Sequence, residues 1–167
     1  MRGFIWIGLA AGLLAGAPAR AEEPACGAFA WPLARELALL SAADLPAVKS
    51  GGAAPAGSAV AVTLQPMALV AFAIAPERTP KSPASYGAVV NINNPGKAGL
   101  YQITLSEEAW VDVVQGDARV HSAAFSSKPG CPGMRKSVRF NLASAPFVVQ
   151  ISGSPVERLN IAVTAAE

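Results

Sequence analysis

The stretch from Leu100 to Val114 constrains the fold most, because it alternates with the two-residue period of a β-strand on both sides of a polar break. In the first run the apolar side chains on one face are Tyr101, Ile103 and Leu105. After Ser106-Glu107-Glu108, Trp110 and Asp112 share one face, opposite Val111 and Val113. Two alternating runs joined by a short polar turn predict a β-hairpin.

Similar short runs occur along most of the chain, separated by turn sequences rich in Pro, Gly and Asn. They span Ala59–Leu64, Ala68–Ile74, Tyr86–Ile92, Val120–Ser126, Arg135–Leu142, Phe147–Ser152 and Leu159–Val163. In the run before Leu142, we expect Val138, Phe140 and Leu142 to point inward. About nine short strands with such turns predict an all-β fold, an antiparallel β-sandwich of jelly-roll or Greek-key type.

One short helix precedes the strands. Residues 31–41 begin with Trp31-Pro32, and Leu33, Leu37 and Leu40 recur at helical spacing. Glu36 lies at the border of this stripe, and we expect the rest of the helix to be solvated. Residues 49–58 form a Gly/Ala/Pro-rich connector. The helical segment is too short to be a domain, so residues 22–167 are predicted to form a single one.

Residues 1–21 have the pattern of a secretory signal peptide: a basic start, an uncharged apolar run and small residues in Ala19-Arg20-Ala21. The alternative is a tethered N-terminal helix. We therefore expect a periplasmic or secreted protein without a membrane span after cleavage.

Two of the 13 basic residues lie in residues 1–21, which leaves 11 to balance 11 acidic residues. A neutral chain offers no electrostatic attraction for nucleic acid, and we expect a monomer.

The two cysteines, Cys26 and Cys131, allow a single pairing. An exported protein meets an oxidising compartment, so we predict a disulfide between them. The alternative is two buried thiols.

Catalytic chemistry has little support in the sequence. His121 is the one histidine, so neither a three-His zinc site nor a two-His iron site can form. We predict no cofactor and no metal site. His121 is either a polar residue on a strand face or, with Asp112, part of a cryptic enzyme site.

Two groups of residues are candidates for binding. Arg135, Lys136 and Arg139 form the densest basic cluster, which is either a site for an acidic glycan, a phosphate or an acidic partner, or a solvated strand face. Trp110 beside Asp112 would suit sugar stacking if exposed, and would otherwise be part of the core.

Two resemblances add to this interpretation. Gly99-Leu-Tyr-Gln-Ile-Thr-Leu105, with Asp112 and Phe147-Val-Val-Gln-Ile-Ser152, resembles the non-catalytic pre-peptidase C-terminal domains of secreted bacterial peptidases. The mature chain also resembles a group of small exported proteobacterial proteins of unknown role, sometimes labelled homogentisate 1,2-dioxygenase. The residues that carry this second likeness are Cys26, Trp31-Pro32-Leu33, Glu36, Gly99, Tyr101, Trp110, Asp112, Cys131 and Arg135-Lys-Ser-Val-Arg-Phe140.

The dioxygenase label implies iron held by two histidines and a glutamate, which a single histidine cannot supply. We therefore predict a non-catalytic binding or accessory module of the periplasm or cell envelope. Its partner would be a glycan, an anionic ligand or an envelope protein. An enzyme and a structural envelope protein with a protein partner remain the alternatives.

Overall fold

Two facing β-sheets make up the part of the protein that the computed structural model describes, residues 29–167. The elements in chain order are α1 (Ala34–Leu40), β1 (Ala47–Lys49), β2 (Ser58–Thr63), β3 (Gln65–Pro66), a 3-10 helix (Met67–Leu69), β4 (Tyr86–Ile92), β5 (Gly99–Leu105), β6 (Trp110–Gln115), β7 (Ala118–Val120), β8 (Ser122–Ser127), β9 (Lys136–Leu142), β10 (Phe147–Ser154) and β11 (Arg158–Ala165).

The six-stranded sheet has the order β1-β2-β11-β5-β9-β8, and the five-stranded sheet has the order β3-β4-β10-β6-β7. Apart from the parallel pair β1–β2, the paired strands named here are antiparallel. The predicted all-β sandwich is confirmed. Its edges are β1 and β8 in one sheet and β3 and β7 in the other.

The main core lies between the sheets and follows the alternation of the strands. The predicted inward residues of the β5 and β9 runs are all buried there: Tyr101, Ile103, Leu105, Val138, Phe140 and Leu142. Val111 and Val113 of β6 join the same cluster from the other sheet. Because side chains alternate across a strand, the sequence pattern alone was sufficient to assign these faces.

The predicted hairpin over Leu100–Val114 is wrong. β5 pairs with β11 and β9, whereas β6 pairs with β10 and β7, so the two strands belong to opposite sheets. At the end of β5, Ser106 N–H donates to the Asn160 carbonyl, and the Ser106 hydroxyl accepts from Asn160 N–H. The polar stretch after Leu105 then crosses between the sheets, and the inner faces of both strands still meet in the core.

The strand predicted over Ala68–Ile74 is also wrong. Met67–Leu69 is a 3-10 helix, and the chain from Val70 to Ile74 is irregular. The reason lies in Gln150, a fully buried residue of β10. Its side-chain oxygen accepts from Ala73 N–H at 2.7 Å and Ile74 N–H at 3.2 Å, and its NH₂ donates to the Ile74 carbonyl. A side chain thus provides hydrogen bonds that a strand would obtain from a neighbouring strand.

The predicted strand Val120–Ser126 is divided in two. β7 ends at Val120 in the five-stranded sheet and β8 begins at Ser122 in the six-stranded sheet, so exposed His121 marks the crossing. The strand β1 ends where the predicted connector begins, and it forms a short parallel edge beside β2. Pro66, which breaks the pattern after Leu64, lies in the edge strand β3, where a missing N–H is tolerated.

The helix α1 is shorter than predicted, and it packs on the outer face of the six-stranded sheet. Leu33 and Leu40 are buried in a second cluster with Ala59, Cys131, Met134 and Ala162. Glu36, at the border of the leucine stripe, is buried and only 1% exposed. Its Oε1 accepts from the Thr164 hydroxyl at 2.7 Å and pairs with Arg35 at 2.8 Å. The outer side of the sheet is therefore sealed by an apolar cluster and a buried carboxylate.

Glu36 predicts a pH dependence of stability. Burial alone would raise the pKa of Glu36, but hydrogen bonds from Thr164, Gln102 and Arg35 lower it below the ordinary value of 4.5. A depressed carboxyl pKa stabilises the fold above the unfolded-state pKa, and this contribution is lost as the pH falls below about 4.5. We expect Glu36→Gln to cost roughly 1–2 kcal/mol at neutral pH and progressively less in acid.

Urea unfolding of both proteins between neutral pH and about pH 3 checks this, with exposed Glu107→Gln as the matched control. A constant difference between wild type and Glu36→Gln across that range would show that the charge of Glu36 contributes nothing.

Two predictions fall on residues 1–28, outside the described part. These are the signal peptide and Cys26. The described partner, Cys131, is buried in the cluster under α1. The Cys26–Cys131 disulfide therefore stays a prediction. Within residues 29–167, no helix is long and apolar enough to cross a membrane.

Candidate functional site

A cleft of about 360 Å³ opens at the side of the sandwich where the chain crosses from β7 to β8. Its apolar wall comes from both sheets and consists of Val111, Val120, Phe125, Val138 and Phe140. Because Val111, Val138 and Phe140 also belong to the main core, the apolar part of the cleft continues the space between the sheets. Trp110, Asp112 and Ser152, which also line the cleft, lie on the other face of the five-stranded sheet.

Phe125 shows why the sandwich is open here. It pairs in register with Val138 of β9, so both side chains lie on the inner face of the six-stranded sheet. Val138 is buried, whereas Phe125 is 70% exposed. β8 is the last strand of its sheet. An inward-facing aromatic ring is thus left in solvent.

Trp110, at the start of β6, lies at the polar rim of the cleft and is half-buried. The Arg78 guanidinium carbon lies 4.2 Å from the centre of its ring, and Lys136 Nζ lies 5.5 Å away. Both distances are within the range of cation–π contacts. The sequence left Trp110 either in the core or exposed. In the structure it is half-buried, and two cations lie against its ring.

Asp112 is buried below Trp110 and connects three segments. Its Oδ1 accepts from Trp110 Nε1 at 3.1 Å and lies 3.3 Å from Arg119 Nε of β7. Its Oδ2 accepts from the Glu77 backbone N–H at 3.1 Å. Both oxygens are thus engaged, and Asp112 holds the rim of the cleft together.

The segment 77–81 forms one wall of the cleft, and contacts with β6 and β10 hold it against the five-stranded sheet. Besides the Asp112 contact, Pro80 packs against Gly153, where a Cβ atom would lie 3.6 Å from Pro80. Gly153 has a φ of +68° and lies at an irregularity in the β4–β10 pairing, a conformation that favours glycine. These contacts hold Arg78 beside Trp110.

Lys136 lies on the same strand, β9, as Val138 and Phe140 of the apolar wall. It shares strand parity with Val138 and Phe140, so it starts from the inner face, and its side chain is 12% exposed. Nζ donates to the Ala109 carbonyl at 2.7 Å and lies 3.8 Å from Glu108. Burial lowers the pKa of Lys136, and Glu108 offsets this only in part. The ammonium group is therefore poorly solvated and incompletely neutralised.

Ser152 adds an unpaired polar group to the same cleft. The residue is 1% exposed, pairs in register with Trp110, and its hydroxyl has no hydrogen-bond partner within residues 29–167. Buried hydroxyls are normally hydrogen-bonded, so an unpaired one that lines a cleft is suited to contact a bound molecule.

The predicted binding residues do not form one surface. Trp110, Asp112 and Lys136 meet at the cleft. Arg135 lies beside them but pairs with Glu108 and donates to the Ser127 hydroxyl. Arg139 points to the outer face of the six-stranded sheet, where it stacks 4.2 Å from the Trp31 ring and donates to Gln102. The predicted basic cluster of Arg135, Lys136 and Arg139 is therefore divided between two sides of the protein.

Sequence reasoning missed Arg78, Arg119, Phe125 and Ser152. Arg78 lies in the proline-rich stretch 75–85, and nothing local indicates that this loop folds back onto a sheet. Phe125 could have been found, because a lone aromatic residue in a run of Ser and Ala has no partners in its own strand. Within the described residues, no group of three or more His, Cys, Asp or Glu side chains could hold a metal ion.

Fold and site together define a two-sheet β-sandwich with an apolar lateral cleft whose rim carries cations. Comparison with family models, curated proteins and solved structures gives no match, so the interpretation rests on the geometry of this chain.

Proposed function

We propose that this protein is a non-catalytic binding module of the periplasm or cell envelope, and that it holds a small anionic ligand in the cleft between β7, β8 and Trp110. The observation that carries the proposal is Lys136, a nearly buried ammonium group at the mouth of an apolar cleft. A desolvated, partly neutralised cation gains more from an anion than a solvated one does.

The charges around the cleft favour an anion. Arg78, Lys81 and Lys136 line it, together with the acids Glu77, Glu108 and Asp112. Asp112 is neutralised by Arg119, and Glu108 is shared between Arg135 and Lys136. The lining itself has three basic and three acidic residues, and Arg119 and Arg135, which pair with two of these acids, raise the basic count to five, so the net charge around the cleft is +2. A neutral glycan is less suitable, because a sugar stacked on Trp110 would have to displace Arg78.

The enzyme alternative has less support. It requires His121 to act with Asp112, but both Asp112 oxygens are engaged by Trp110, Glu77 and Arg119. His121 is exposed at the crossing between the sheets and does not line the cleft.

Replacing Lys136 with methionine tests the proposal. We expect octanoate, used as an anionic probe, to bind about tenfold or more weakly to Lys136→Met, since hydrogen bonds to charged groups contribute about 1.5–3 kcal/mol. The free energy of unfolding at neutral pH should not fall. Burial disfavours the charged lysine in the folded state, and this cost is fully present below the folded-state pKa and disappears as the pH rises towards 10.5.

Calorimetric titration gives the affinity, and urea unfolding gives the stability. Lys97→Met is the matched control, because Lys97 is exposed and does not line the cleft. Octylammonium, which has the same tail and the opposite charge, should bind more weakly than octanoate. Equal affinity for the two probes, or an unchanged octanoate affinity in Lys136→Met, would contradict an anion site.

A further inference from the structure

We infer that the ligand is amphipathic: an anionic head contacts Lys136, and an unbranched alkyl body lies between the sheets against Phe125, Val120 and Val138. This inference rests on the proposed anion site and adds the chemical class of the rest of the ligand. It starts from the contrast between a polar rim and an apolar wall in one cleft.

The wall formed by β7, β8 and β9 carries apolar side chains from its back to its outer margin, with Ser122 and Ser127 of β8 beside them. Val138 and Phe140 lie at the back, Val120 is partly buried against the core, and Phe125 is the outer margin. A volume of about 360 Å³ falls within the range of small-molecule sites, which are mostly apolar with a few placed polar groups. A compact anion such as phosphate would occupy the rim and leave this wall in water.

Phe125 provides the strongest argument for an alkyl body. Its ring is 70% exposed although it lies on the inner face of its sheet. An alkyl chain that extends from Lys136 past Val138 would cover the ring, since residues 136, 138 and 140 share that face of β9. Burying this surface is favourable in proportion to its area.

The head site has donors in addition to Lys136. The unpaired Ser152 hydroxyl lines the cleft, and Arg78 lies over Trp110 at the rim. Carboxylate and phosphate heads both accept several such hydrogen bonds. The positive charges of Arg78 and Lys136 favour an amphipathic anion over an uncharged lipid and over the apolar surface of a second copy.

The test is a calorimetric titration of the purified protein with butyrate, hexanoate, octanoate and decanoate. Each methylene that enters the cleft should tighten binding about fourfold, until the alkyl chain reaches solvent. Octyl phosphate distinguishes the two heads: binding at least as tight as that of octanoate would assign a phosphate head, and weaker binding a carboxylate.

The Phe125→Ser variant tests whether the alkyl chain of the ligand lies against Phe125. Phe125 is exposed, so the variant should fold, and octanoate should bind about tenfold more weakly while butyrate changes little. Leu69→Ser, equally exposed at 69% and not part of the cleft, is the control and should bind like wild type.

The outcomes separate the two proposals. Affinities that are equal along the series, with binding still dependent on Lys136, would overturn the amphipathic ligand and leave the anion site standing. A chain-length effect that Phe125→Ser does not alter would overturn the placement of the alkyl body. If no anion binds, both proposals fail. A dimer detected by light scattering and disrupted by Phe125→Ser, without any ligand binding, would assign the cleft to a second copy instead.

Discussion

Asp112→Ala is expected to destabilise the protein by about 3 kcal/mol and to weaken octanoate binding, because one carboxylate holds the rim together. Removing one partner of a buried ion pair costs about 3–5 kcal/mol, and we take the lower value because the Arg119 side chain is 25% exposed. The substitution also leaves Trp110 Nε1 and the Glu77 N–H without their acceptor. The segment 77–81 would then lose one of its attachments to β6.

Urea unfolding measures the loss, and Asp117→Ala provides the matched control. Asp117 is an exposed residue in the turn after β6, so its replacement should change the free energy of unfolding by no more than about 0.5 kcal/mol. If Asp112→Ala and Asp117→Ala unfolded at the same urea concentration, Asp112 would not be the structural centre of the rim.

Phe140→Ala is expected to cost about 3–5 kcal/mol, the range for deleting a buried aromatic side chain. Phe140 is 1% exposed, lies opposite Tyr101 in the β5–β9 pair and closes the back of the cleft. Its removal would enlarge the cleft into the core, where the surrounding strands can close the gap only partly.

Phe125→Ala is the comparison that makes this result specific. Both phenylalanines line the cleft, but Phe125 is exposed. Its replacement by alanine should lower the free energy of unfolding by no more than about 0.5 kcal/mol. The two unfolding curves, measured in urea at the same pH, should therefore differ widely. Similar midpoints would mean that the side of the sandwich near β8 is not open as described.

The faces of the strands were predictable because alternation is a local property. Tyr101, Ile103 and Leu105 could be assigned to the core from the sequence, as could Val138 and Phe140. Strand pairing was not predictable in the same way. A hairpin and a crossing between sheets place the same alternating residues in the core, so the pattern around Ser106 does not distinguish them.

The site was predictable only where its residues are close in sequence. Trp110 and Asp112 share a strand face, and Nε1 of one does donate to the carboxylate of the other. Arg78 reaches Trp110 through the fold of segment 70–81, which depends on Gln150 and Asp112, distant residues whose side chains replace strand hydrogen bonds. Arg139 was grouped with Lys136, but residues 136 and 139 have opposite strand parity, so Arg139 lies on the outer face, where it meets Trp31 from the segment before α1.

The two tryptophan–arginine pairs provide the most direct test of the central claim, that the cleft at Trp110 binds an anion. Trp110 lies under Arg78 in the cleft, and Trp31 lies under Arg139 on the outer face of the other sheet, each at 4.2 Å. We would titrate ¹⁵N-labelled protein with octanoate and follow the indole N–H signals, assigned with Trp110→Phe and Trp31→Phe. A saturable shift of the Trp110 signal with little change at Trp31 is the predicted result. A shift confined to Trp31, or no shift of either signal at saturating octanoate, would contradict it.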